Sequence, residues 1–136
     1  MPATNLLVLI SAVLVGLLGT GHLLITLRGP KLLPRDPSLK PAMERVSPTI
    51  TRQTTMWRAW MGFNFSHSMG ALLFGLVYGY LALLQGELFF QSVFLQALGL
   101  VTLVSYVVLA RLYWFITPLI GTSISLLCYV TGLVLA

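Results

Sequence analysis

An all-α, membrane-embedded four-helix bundle with antiparallel neighbours is the fold that this sequence predicts, on three observations. Long apolar segments alternate with polar ones along the whole chain. Charged residues make up 8% of it, against about 25% in globular proteins. All eight Lys and Arg fall at what would be one end of the apolar segments. A spanning helix needs about 20 mostly apolar residues. Segments of that kind run over about residues 5–27, 57–84, 90–113 and 118–135, with a proline-rich loop over about 28–56. At 136 residues this is one domain, 1–136.

The first element runs from Asn5 to Leu27. No basic segment precedes it and its apolar run is too long for a secretory signal, so it is expected to be a retained span. Ala12, Gly16 and Gly19 give it a small-residue face on which another helix can approach closely. His22 lies near its charged end.

Pro30, Pro34, Pro37, Pro41 and Pro48 then interrupt regular structure repeatedly. Ser47-Pro48 reads as an N-cap followed by proline at the first helical position, which would start the second helix well ahead of the membrane. That helix ends near Leu84, and a short turn holds Glu87. The third span begins near Leu88 or Ser92 and closes on Tyr113, Trp114 and Phe115, an interfacial aromatic belt. Thr117-Pro118 reads as the cap and first position of the fourth, whose Gly121, Ser125, Cys128 and Gly132 form another small-residue stripe.

Four spans fix the sides. Seven of the eight cations lie between Arg28 and Arg58, and Arg111 sits beside the 115–117 turn, which shares their side. The positive-inside rule places the proline-rich loop in the cytoplasm and both ends of the chain outside. The formal charge of +5 is therefore a topology signal. No basic stripe with interleaved aromatics marks a nucleic-acid partner.

Chemistry concentrates in the second span. Projected at about 100° per residue, Trp60, Asn64, His67, Ser68, Ala71, Gly75 and Gly79 share roughly a third of the helix circumference. Met69, Leu73, Leu76, Val77, Tyr80 and Leu84 take the opposite, lipid-facing side. A buried polar group costs several kcal/mol unless satisfied, so Asn64 and His67 need partners. Those partners are either neighbouring helices, with the pair setting bundle register, or a ligand held by Trp60, Asn64, His67, Ser68 and His22. His22 and His67 are also formal candidates for axial haem ligands. Their depths, roughly 7 to 9 Å and 15 Å at 1.5 Å rise per residue, match poorly for one iron. Arg58 and Arg111, with Trp57, read as snorkelling headgroup contacts or as an anion pocket.

Several classes are excluded by what is missing. Asp36, Glu44 and Glu87, the three acids, all lie outside the spans, so proton-coupled transport through a membrane carboxylate has no residue to use. Ser66 and Ser68 flank His67 but point away from it on a continuous helix. No nucleophile–base set, metal cluster or phosphate loop is legible. Cys128 stands alone, which rules out an intrachain disulfide and a cysteine-based metal site. Neither a catalytic residue nor a cofactor is expected.

The run TTMWRAWMGFNFSHSMGALLFG, with the proline-rich loop and the GTGHL of the first span, resembles a family of small bacterial integral membrane proteins with four predicted spans and no established activity. Trp57, Arg58, Ala59, Trp60, Asn64, Ser66, His67 and Ser68 carry the resemblance. It implies the fold class and a bacterial inner-membrane location, and supplies no activity. The expected function is a non-enzymatic scaffold or accessory subunit of a homo-oligomer or larger membrane complex. The alternatives are a binding or transport module for a lipid, quinone-like or other amphipathic ligand near His67, and a haem protein or membrane enzyme.

Overall fold

A computed structural model describes the chain from Met1 to Ala136. It is all-helical: α1 (Ala3–Arg28), a single 3-10 turn (Pro30–Leu32), α2 (Leu39–Arg45), α3 (Met56–Leu84), α4 (Gly86–Gln91), α5 (Val93–Tyr113) and α6 (Ile116–Val134). By length and composition α1, α3, α5 and α6 can each cross a membrane.

The helix starts differ from those read off the sequence, for local reasons. Ser47-Pro48 caps nothing: Pro48 leads into turns, and α3 begins at Met56. Thr55 is its N-cap, with its hydroxyl accepting from the Arg58 N–H at 3.3 Å and its carbonyl from the Ala59 N–H at 2.9 Å. The Thr-rich run before it is a poor helix former, so the helix waits for Met56. The third span starts at Val93, because Gly86–Gln91 forms a separate short helix. Ser92 between them is extended (φ −99°, ψ 98°), and its hydroxyl accepts from the Leu95 N–H. At the last helix Phe115, not Thr117, is the N-cap. Pro118 then occupies the third helical position, where its missing N–H would have had no intrahelical partner anyway.

Two compact units make up the chain, and α1 and α3 contribute residues to both. The first comprises Met1–Leu18 and Ala71–Ala136. Its core gathers Val8, Ala12, Val15, Phe74, Tyr78, Phe89, Leu103 and Tyr129. The Tyr78 ring stacks on Phe74 at 4.5 Å and meets Phe89 and Tyr129 edge-on at 6.0 and 5.8 Å. Close approach rests on small residues: a methyl group added at Gly75 would stand 2.8 Å from the Gly16 Cα and 3.0 Å from the Ala12 carbonyl oxygen. Fully buried Ser11 and Ser125 join their hydroxyls at 2.8 Å, linking α1 to α6. The Asn5 amide donates to the Ala82 carbonyl at 2.9 Å, satisfying one of the last carbonyls of α3.

Gly99 lets two tyrosines reach the α5 backbone. Tyr78 Oη donates to the Leu95 carbonyl at 2.8 Å and Tyr129 Oη to the Gln96 carbonyl at 3.0 Å. A Cβ at Gly99 would collide with both rings. These hydroxyls are the polar handles that a buried tyrosine has to satisfy.

The second unit, Gly19–Gly70, holds the end of α1, the proline-rich segment and the start of α3. The segment is more regular than its prolines suggest. The Leu33 N–H bonds to the Pro30 carbonyl, and α2 forms between Ser38 and Val46. A bond from the Met56 N–H to the Val46 carbonyl, 2.9 Å, closes the segment at its far end.

Candidate functional site

The polar face of α3 meets the end of α1 within the second unit. Asn64, His67 and Ser68 share that face because positions three and four apart on a helix are neighbours. Asn64 is buried and forms the centre of the arrangement. Its amide nitrogen donates to the Trp60 carbonyl at 2.8 Å. That bond turns Oδ1 outward, to 3.1 Å from His22 Nε2. An amide oxygen only accepts, so Nε2 of His22 carries the proton and donates. The His67 ring stands against the His22 ring edge-on, with centroids 5.2 Å apart and planes at 82°.

Ser68, buried and on the same face, donates back to the Asn64 carbonyl at 2.9 Å. Thr26 does the same to the His22 carbonyl at 2.8 Å. Such i−4 bonds let a hydroxyl sit in an apolar helix at little cost. They also commit the Ser68 proton to the backbone, away from any ligand. No buried side-chain nitrogen or oxygen in the chain lacks a partner. No group of three or more His, Cys, Asp or Glu side chains that could hold a metal ion is present.

The remaining predicted residues lie outside this cluster. Trp60 is 43% exposed, and its indole N–H reaches the Leu32 carbonyl at 3.4 Å. Trp57 is half-buried, with Lys40 Nζ 5.2 Å above its ring, a cation–π contact. Arg58 is exposed in the first turn of α3. Arg111 is exposed in the last turn of α5, where a cation complements the helix dipole.

One cavity lies beside the tryptophans. About 410 Å³ in volume, it is lined by Lys31, Leu32, Leu33 and Pro34 after α1, by Leu39 and Met43 of α2, and by Trp57 and Trp60 of α3. Sequence reasoning named the two tryptophans and missed the aliphatic walls. The available signal was Leu39 and Met43, apolar residues four apart in an otherwise charged segment, which put one apolar stripe on α2. It likewise missed Tyr78 and Tyr129, although a tyrosine in the middle of an apolar span must find an acceptor for its hydroxyl.

Outside the apolar spans one carboxyl is perturbed. The Ser38 hydroxyl and then the Ser38 backbone N–H donate to Asp36, holding its carboxyl below the ordinary aspartate value. Comparison with known proteins yields no match to this chain among family models, curated proteins or solved structures.

Proposed function

We propose that this is a small integral membrane protein acting as a non-enzymatic scaffold or accessory subunit, in a homo-oligomer or a larger membrane complex. The observation that carries this reading is the internal satisfaction of its polar groups. Asn64, His22, Ser68, Ser11 and Ser125 spend their hydrogen bonds on their own or neighbouring helices. Interhelical bonds of this kind are worth about 0.6 kcal/mol on average. Their main effect in an apolar medium is to specify which helix faces meet.

In this reading the four spans alternate in direction as a bundle. Pairs of contacts support that: Asn5 with Ala82, Ala12 with Gly79 and Gly16 with Gly75 between α1 and α3, and Val8 with Gly132, Ser11 with Ser125 and Leu18 with Gly121 between α1 and α6. One number rises as the other falls in each set. The host membrane is a bacterial inner membrane, as the family resemblance implies, with the proline-rich loop on the cytoplasmic side and the Ala3 and Val134 helix ends outside.

Extraction of the full chain in a mild detergent tests the role. A species larger than the monomer, or a partner retained through purification, is the expected outcome. A bare monomer under every mild condition would refute a scaffold.

A second reading, an amphipathic ligand held among Trp60, Asn64, His67 and His22, draws on the half-buried state of both histidines. Against it, the Asn64 amide is already engaged on both its oxygen and its nitrogen. For haem, the two imidazoles would have to open from direct contact to admit an iron and its porphyrin. A Soret band in the purified protein that disappears in His67→Ala would favour haem over the scaffold.

A further inference from the structure

The scaffold reading makes no use of the cavity beside Trp57 and Trp60, and its position and chemistry suit one kind of occupant. We propose that it holds an anionic phospholipid, with the start of an acyl chain between the tryptophans and α2 and the phosphate against Lys31 and Lys40. The inference rests on the membrane reading, and goes beyond the scaffold role.

Position comes first. Span α1 ends at Arg28 and span α3 begins at Met56. The lining residues, from Lys31 to Met43 and from Trp57 to Trp60, therefore come just beyond one apolar helix and within the first turns of the other. That is headgroup depth, the level at which tryptophan concentrates. Chemistry comes second. The walls are alkyl and indole, from Leu32, Leu39, Met43, Trp57 and Trp60, with Lys31 as the cation among them. A soluble anion such as inorganic phosphate would leave those walls wet. A phospholipid covers them and presents its charge to the lysine.

Charge complementarity selects the anionic class. Residues 19–70 hold seven cations and two acids, a surplus of five positive charges. Both acids are occupied: Asp36 accepts from Ser38 twice, and Glu44 pairs with Lys40 at 3.5 Å. That pair is solvent-exposed on both sides, and such pairs contribute little. Lys40 Nζ, already over the Trp57 ring, can turn to a phosphate at small cost.

The test uses the full chain carrying Trp114→Phe, so that Trp57 and Trp60 alone report. It is reconstituted into phosphatidylcholine vesicles containing brominated phosphatidylglycerol or brominated phosphatidylcholine at equal mole fraction. Stronger quenching by the anionic lipid is expected. Lys31→Gln should lower that preference several-fold, because the lost cation stands against the phosphate itself, and Lys31→Arg should restore it. Arg52→Gln, which removes a cation that does not line the cavity, should leave it unchanged. Should Lys31→Gln lose helicity by circular dichroism, Lys40→Gln takes its place with the same expected direction. Equal quenching by both lipids, or equal loss in Arg52→Gln, overturns the proposal. A chain that fails to float with the vesicles would overturn the membrane reading itself, whereas one that floats without lipid preference overturns the lipid site and leaves the membrane reading standing.

Discussion

Asn64 shows how one side chain can organise a buried polar site. Its nitrogen is held by its own helix, at the Trp60 carbonyl, which leaves the oxygen aimed at His22 on another. Replacing it with Ala removes both bonds and leaves the His22 N–H without its acceptor. Asn64→Ala should therefore lower stability by about 1–2 kcal/mol, read as a shift in an SDS-unfolding midpoint in mixed micelles. Ser66→Ala, which removes only an exposed bond from the Ser66 hydroxyl to the Phe63 carbonyl, should stay within about 0.5 kcal/mol. Equal effects from the two would deny Asn64 its special position. Asp36 gives a pH-dependent counterpart outside the spans. Its carboxyl is depressed by Ser38, so its stabilising contribution is present above the unfolded aspartate pKa and is lost as pH falls through the folded one. A carbon-detected NMR titration should place Asp36 below an ordinary aspartate, and Ser38→Ala should move it upward. The shared face of Trp60, Asn64, His67 and Ser68 was legible in helical periodicity. His22 as the partner was not, because that pairing spans 42 positions of chain and depends on how far α1 slides against α3.

Among the helices, glycines divide into those that another backbone needs and those that it does not. Gly75 is of the first kind: the three nearest atoms that its Cβ would meet all belong to the α1 backbone, which cannot rotate out of the way as a side chain can. Gly75→Ala should destabilise by about 1–3 kcal/mol, as overpacking does. Gly62, in the same helix, has nothing within 4 Å of its would-be Cβ. Gly62→Ala should be neutral or should stabilise by up to about 1 kcal/mol, through the helix propensity of alanine. Thermal or denaturant midpoints of the two variants side by side decide the matter, and the reverse order would contradict the packing described here. The small-residue stripes were visible from spacing alone, but the difference between Gly75 and Gly62 was not. Helix starts were misread where proline seemed decisive. Ser47-Pro48 and Thr117-Pro118 both have cap chemistry, yet the helices begin at Met56 and Ile116, where the chain finds its first sustained run of helical hydrogen bonds.

For the molecule as a whole, charge asymmetry yields a direct topological expectation. With Cys128→Ala as background, Lys40→Cys should react with a membrane-impermeant thiol reagent only after the cells are permeabilised. A cysteine added after Val134 should react in intact cells. Both labelling in the same compartment would contradict four spans with the basic loop inside. That expectation needs no coordinates. Whether a segment enters a bilayer depends on its own length and polarity, and the side on which its flanks remain depends on where the lysines and arginines fall. Both are properties of contiguous stretches, and both can be read along the chain. The pairing of Ser11 with Ser125, of Asn5 with Ala82 and of the two histidines, and the open cavity lined by Leu32, Met43 and Trp60, are of another kind. They join residues far apart in the chain through contacts set to within an ångström by the packing of helix against helix, and no local pattern encodes such a distance.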